Sequence, residues 1–259
     1  MQGDCMNMVF LVLREIKYFT NFYNKMYQFL LFFQPLVFLT IVYFLQQLRG
    51  DINSDRFVVA SALISMWSYV LYSSGSALVS QRWSDTLKLL IAAPVSLFQV
   101  IISKALSNSV IALISMALSF FYARFIYGFN IQIINYAWFF ISVLVLIFSL
   151  CVVGLILAIV FVVFQNVYDY QNLILTPIIL MCGVFIPVNQ LPIVIEYLSY
   201  GVPMTWGIKA VYESIEMNSL MYTSMVTSII VSFVYLILAS FIIKKMEVIL
   251  RKHGKLGAM

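Results

Sequence analysis

Side chains able to do chemistry are few in this chain, and their spacing builds no reactive set. The single histidine, His253, lies in a basic tail, where solvation is its ordinary role, and no Ser/His/Asp arrangement can be assembled around it. Cys5, Cys151 and Cys182 are odd in number, and two of them sit in apolar runs, which is no disulfide framework. They read as free thiols that behave as small hydrophobes. No cysteine and histidine cluster has metal-ligand spacing. The phosphate loop G-x-x-x-x-G-K-S/T does not occur, and the tail HGKLGAM has the wrong spacing for it. The chain therefore cannot hold ATP by that means, and no catalytic residue, metal or cofactor of its own is expected.

The elements that would carry any remaining function are membrane spans. The 259-residue chain is 63% apolar and 10% charged, with a mean hydropathy of +1.01. A soluble domain is about half apolar and about a quarter charged, so lipid must cover this surface. Crossing the hydrocarbon takes about 20 apolar residues. Uncharged runs cover residues 26–48, 57–81, 105–123, 125–168, 170–195 and 217–243. The fourth opens on Gly128, Asn130, Gln132 and Asn135, which read as a loop; one long helix from Tyr136 to Phe164 follows. The fold class is an all-α polytopic membrane protein with six transmembrane helices. The division is an amphipathic lead (1–25), a six-span domain (26–243) and a basic tail (244–259). The lead has no small-residue cleavage site, so the first run reads as a retained span rather than a signal peptide.

An even number of spans puts both termini on one side. With cytoplasmic termini, the inner segments hold Arg14, Lys17, Lys25, Arg82, Lys88, Lys104, Lys244, Lys245, Arg251, Lys252 and Lys255. The outer ones hold only Arg49, Arg56, Arg124 and Lys209. The positive-inside rule then fixes the orientation. The net charge of +5 reports these loops, and no nucleic-acid partner is expected. The middles of the spans carry no Asp, Glu, Lys, Arg or His. An ion-coupled carrier would keep such groups as its relay, so energy is expected from outside the chain.

Three segments are not simple spans. In the lead, Val9, Val12, Leu13, Ile16, Phe19 and Tyr23 form an apolar stripe at helical spacing, with Arg14, Lys17, Asn21 and Asn24 on another face. Such a helix lies in the membrane interface, as an anchor, a docking surface or both. Between spans two and three, QRWSDTLKLLIAAPVS (81–96) reads as a short amphipathic helix. Ser84 is its N-cap, Asp85 lies in its first turn, Leu87, Leu90 and Ile91 share one face, and Pro94 stops it. It can transmit force between two spans or rest on lipid. After span five, Gly183, Pro187, Pro192, Gly201 and Pro203 break the chain. Broken backbone at membrane depth survives only where protein or a water-filled cavity satisfies it. One span ending near Pro187, then short helices re-entering the outer leaflet, is the expectation. Within the spans, Ser65, Ser68, Tyr72, Asn108 and Thr176 could line a path or simply pack helices. Trp67, Tyr69, Trp138, Phe139 and Phe140 suit an interfacial aromatic belt.

With these segments in place, the chain resembles the ABC-2 type permease family, the membrane subunits of ABC exporters with the ABCG-like fold. The 81–96 loop is similar to the family's E-R-E-x-G-T-L-E-x-L-x-x-x-P-V-S segment. Arg82, Thr86, Leu87, Leu90, Pro94, Val95 and Ser96 match in register, and Gln81, Trp83, Asp85 and Lys88 depart. CGVFIPVNQLP (182–192) resembles S-G-x-x-x-P-x-x-x-L-P, and VPMTWGIKAV (202–211) resembles N-P-L-T-Y. The resemblance implies two permease copies, alike or different, and two cytoplasmic ABC ATPase subunits that bind ATP and Mg. It implies a coupling helix around Arg82, Asp85, Thr86, Leu87, Leu90 and Ile91, aided by Arg14 and Lys17 of the lead. It implies a re-entrant gate at Gly183, Pro187, Pro192 and Pro203. The expected function is export across the cell membrane of an amphipathic or hydrophobic substrate, such as a drug, antibiotic peptide or lipid, by alternating access. A lipid-linked polysaccharide fits less well, because such exporters usually lack T-L-x-x-L-x-x-x-P-V-S. A carrier, channel, or membrane-embedded enzyme or assembly factor is the reading from another class.

Overall fold

The computed structural model describes residues 10–16, 25–49, 54–83, 96–129, 133–163, 173 and 176–253. Helices and their connections account for all of these; no strand occurs among the described residues. A first span opens with α1 (Lys25–Gln28), passes through a π turn (Phe29–Phe33) and continues as α2 (Gln34–Arg49). Long helices follow: α3 (Ser54–Trp83), α4 (Leu97–Phe125) and α5 (Tyr136–Val163). A 3-10 turn (Val188–Gln190), α6 (Ile193–Tyr200), α7 (Pro203–Ile215) and α8 (Leu220–His253) complete the order. Residues 10–16 and 176–181 are also helical.

Five helices are long and apolar enough to cross a membrane: Lys25–Leu48, Asp55–Ser73, Leu97–Phe125, Tyr136–Val160 and Leu220–Lys245. The expected fifth run, 170–195, falls partly outside the described residues, and within it only 176–181 is described as a length of helix before the break. That helix stops at Met181, earlier than the expected end near Pro187, because Gly183 follows at φ +82°. The left-handed region suits a residue without a Cβ and closes the last turn. A Cβ on Gly183 would also stand 2.7 Å from Val188 Cγ2.

Helix α3 is the axis of the bundle: 83% of the Asp55–Ser73 span is buried, against 28% of the first span and 22% of the last. On the first span, Phe29, Phe33, Val37, Ile41, Phe44 and Leu48 are exposed at three- to four-residue spacing. Such a stripe is suited to lipid, not water. Between α4 and α5 the expected loop is present. Gly128 sits at φ +71°, and Asn135 Oδ1 accepts from the N–H groups of Ala137 (3.0 Å) and Trp138 (3.4 Å), capping α5.

Many serines on the buried helix faces return their hydroxyls to their own backbone. Ser65 Oγ donates to Ser61 O (2.8 Å), Ser73 to Tyr69 O (2.6 Å), Ser107 to Ser103 O (2.7 Å) and Ser109 to Ala105 O (2.7 Å). Satisfied in this way, they leave no polar cost at the seam and let helices approach closely. Ser61 of α3 and Ser119 of α4 meet at 3.2 Å. Gly207 of α7 does the same against α5: an added Cβ would lie 2.9 Å from Leu146 Cδ1 and 3.0 Å from Ser149 Oγ. At one end of the bundle, α4 begins with Ser96 Oγ accepting from Gln99 N–H (3.3 Å) and Glu247 Oε2 of α8 accepting from Leu97 N–H (3.2 Å).

Candidate functional site

Pro35 shapes the first span. Inside a helix a proline has no N–H to donate, and its ring crowds the carbonyl four residues back. Here the backbone widens to a π turn just before it, with Gln34 N–H bonded to Phe29 O. The next bond in that wider register would run from residue 35 to Leu30 O, and Pro35 cannot make it. Ser115 Oγ of α4 donates to Leu30 O instead, at 3.4 Å. A neighbouring hydroxyl often rescues such a carbonyl in a membrane helix. Single π turns inside helices often mark functional sites.

The widened turn opens onto a cavity of about 410 Å³, within the usual size of a small-molecule site. The first span contributes Phe29, Leu30, Gln34 and Phe38; α3 contributes Ile64, Trp67, Ser68 and Tyr72. The segment 176–185 contributes Thr176, Ile179, Leu180 and Phe185. The α3 residues recur at three- and four-residue spacing, so one helix face supplies them. Gln34 Nε2 donates to Ser68 Oγ at 2.9 Å. Gln34 Oε1 and Trp67 Nε1 are buried and have no hydrogen-bond partner. At the cavity edge the Tyr27 hydroxyl donates to Tyr72 O at 3.5 Å, and the Tyr27 and Tyr69 rings meet edge to face at 6.1 Å.

Of the residues named from sequence as a path, Ser68, Tyr72 and Thr176 line this cavity together. Ser65 and Asn108 do not: Ser65 is wholly buried with its hydroxyl on Ser61 O, and Asn108 is buried within α4. Gln34, Pro35 and Phe29 were not singled out from sequence. The signal was there, as a Gln-Pro pair in the middle of an apolar run.

The broken segment is bolted to its surroundings. Pro187 and Pro192 precede the 3-10 turn and α6, and Pro203 is the first residue of α7, where its missing N–H costs nothing. Ser199 Oγ donates to Met181 O (2.7 Å), covering a carbonyl left open where the 176–181 helix ends. Thr205 Oγ1 donates to Ser199 O (2.7 Å), Tyr212 OH to Val184 O (2.7 Å) and Ser228 Oγ of α8 to Pro203 O (3.2 Å). The Arg56 guanidinium of α3 lies 4.6 Å from the Tyr212 ring centre. Glu213 accepts from Ser224 Oγ at 2.6 Å and pairs with Lys209 at 3.9 Å. On α6, Tyr200 OH donates to Glu196 at 3.3 Å. Burial and the nearby carboxylate both push the Tyr200 phenol above its ordinary pKa, so it stays a donor.

Of the coupling residues, Arg82 lies in the last turn of α3 and Arg14 is exposed on the 10–16 helix. Ser107 Oγ of α4, whose proton goes to Ser103 O, also lies 3.2 Å from Val12 O, which places that helix beside α4. Lys17, Asp85, Thr86, Leu87, Leu90 and Ile91 lie outside the described residues.

A search of curated proteins gives no match. The family model described as ABC-2 type transporter matches residues 8–215, from the lead helix to the end of α7. That match covers well over half of the 259 residues, and the chain, a multi-pass membrane transporter permease, belongs to the ABC-2 type transporter family.

Proposed function

We propose that this chain is the permease subunit of an ATP-driven exporter in the cell membrane, moving an amphipathic or hydrophobic molecule outward by alternating access. The observation that carries the reading is the family match over residues 8–215 on a chain without a phosphate-binding loop. A permease of this kind takes its energy from an ABC ATPase, which would hold ATP and Mg. The aromatic cavity beside the first span supports a substrate of this character, and the basic asymmetry supports six spans with cytoplasmic termini. Two permease copies would pair, and the 81–96 helix would dock each on its ATPase. Closure of the ATPases on ATP would rock the two halves and open the path outward, past the segment held by Gly183, Pro187, Pro192 and Pro203.

The test is co-purification of the tagged full chain from native membranes. Wild type should bring down a phosphate-loop ATPase and hydrolyse ATP as a complex. Leu87→Ala with Leu90→Ala should lose most of that partner at matched permease levels. Truncating a buried leucine costs about 2–5 kcal/mol in a core, and a loss of about 1.4 kcal/mol is already tenfold in affinity. Undiminished association in the double variant would reject the 81–96 helix as the docking element. Wild type purifying with no ATPase would reject the exporter reading itself.

A further inference from the structure

We propose that the cavity beside the first span selects an uncharged molecule: an apolar or aromatic body whose polar head carries both a hydrogen-bond donor and an acceptor, as an amide or sulfonamide does. This deepens the transport reading and rests on the cavity being the substrate path.

Two observations point the same way. No Asp, Glu, Lys, Arg or His is among the described residues lining the cavity. A charge entering it would lose its water and gain no counter-charge, which is the least favourable state for an ion. The polar groups that do remain are a matched pair. Gln34 Oε1 is an acceptor, the Trp67 indole N–H is a donor, and both are buried without a partner. Trp67 is 1% exposed, so bulk water does not reach its ring. Buried polar atoms in folded proteins nearly always have a partner, and many buried serines in this bundle find theirs on their own helices; Ser103 Oγ and Ser232 Oγ also lack one, but neither lines this cavity. Gln34 cannot swing away to find one, because its Nε2 is held by Ser68 Oγ at 2.9 Å. That bond fixes the amide and leaves Oε1 for something else. A ligand that takes the cavity must meet both groups or leave them unpaired. A head with one donor and one acceptor meets both, and Phe29, Phe38 and Phe185 wall in the body. The rival occupant is a cation held on the ring faces.

The experiment compares three probes with one fluorescent body: dansylamide (neutral), dansylcadaverine (cationic) and dansylglycine (anionic). Binding to the full chain in lipid nanodiscs is read as energy transfer from tryptophan, taking only the component that unlabelled toluenesulfonamide or excess unlabelled probe displaces. Dansylamide should bind at least about tenfold tighter than either charged probe, and Gln34→Leu should weaken it by about tenfold, the cost of leaving a buried group unpaired. The near-isosteric Gln34→Glu guards against a folding artefact and should shift the preference toward dansylcadaverine. Equal or tighter binding of a charged probe, no displaceable binding at all, or both Gln34 variants behaving as wild type overturns the proposal. Neutral selectivity in a chain that purifies with no ATPase leaves this inference standing and sinks only the export reading. An associated ATPase with a charge-preferring cavity does the reverse.

Discussion

Helix α3 presents two faces that are built on opposite rules. Toward α4 it is packed shut: Ser61 donates to Val58 O at 2.7 Å, lies 3.2 Å from Ser119, and both serines are buried. Toward the first span it stands off, and Ile64, Trp67, Ser68 and Tyr72 wall a cavity with an unpartnered amide oxygen and indole N–H beside it. Both faces contain serine, so polarity alone does not separate them. What separates them is where the hydrogen bond goes. A hydroxyl can return to its own helix backbone and vanish energetically. The Trp67 indole, and a Gln34 amide already held by Ser68, have no such return here, and on the proposal above a ligand takes up these unspent bonds.

The largest effect is expected from making one change on both faces. Ser61→Leu forces two extra heavy atoms into the closed seam and should cost about 3 kcal/mol, the upper range of overpacking. Ser68→Leu enters the cavity instead and should cost only about 1 kcal/mol, for the Gln34 hydrogen bond it removes. It should nonetheless abolish the Gln34 contact and dansylamide binding. Thermal melts in detergent read the first, and the nanodisc assay the second. Equal destabilisation by the two variants would erase the contrast.

A smaller effect is expected at the cavity rim. Gly183→Ala places a Cβ in the left-handed region, at about 1–2 kcal/mol, and against Val188 Cγ2 at 2.7 Å. Stability should fall by about 2 kcal/mol, and protease cleavage between Met181 and Pro192 should rise. A variant as stable and as protected as wild type would show that this turn is not held as described.

Pro35→Ala should act on binding rather than stability. Alanine restores the missing N–H, lets the π turn relax to an α turn, and rotates Phe29 and Gln34 relative to α2. Stability should hold or rise, since proline in a helix interior is about 3 kcal/mol less favourable than alanine. Dansylamide affinity should drop about tenfold, by the loss of one well-placed buried hydrogen bond. Unaltered affinity would mean that the π turn does not aim Gln34.

Much of this fold could be read from the sequence, because the membrane imposes a simple rule on it. Long apolar runs gave five of the expected spans, and the Gly128 to Asn135 cluster gave the break before α5, though not the cap that Asn135 makes. Prolines and glycines gave the broken segment after span five, though not the early stop at Met181. The cavity was legible only in part. Ser68, Tyr72 and Thr176 carry a hydroxyl signal, but so do Ser65 and Ser109, whose hydroxyls are spent on their own helices. No single-residue property distinguishes the two sets; only the neighbour across the gap does. Gln34 and Pro35 were the stronger pointers, being costly in a span, and a count of charges passes over both.

The smallest effect is expected at the far end of the bundle, away from the cavity. Glu247 of α8 accepts from Leu97 N–H at 3.2 Å, in the first turn of α4. Residues 81–96 lead directly into that turn, so the contact braces the exit of the proposed docking helix against the last span. A carboxylate also favours the positive end of a helix dipole. Glu247→Gln keeps an acceptor and loses the charge, which should cost about 0.5–1 kcal/mol. Glu247→Ala loses both, at about 1–2 kcal/mol. Neither should touch dansylamide binding, because the cavity and this contact share no side chain. The graded readout is hydrogen exchange of the Leu97 to Val100 amides, fastest in the alanine variant and intermediate in the glutamine one. If Glu247 merely rests there, both variants will exchange like wild type. If instead dansylamide binding weakens in step with exchange, the two ends of the bundle are one cooperative unit, and the independence of the two faces of α3 fails with it.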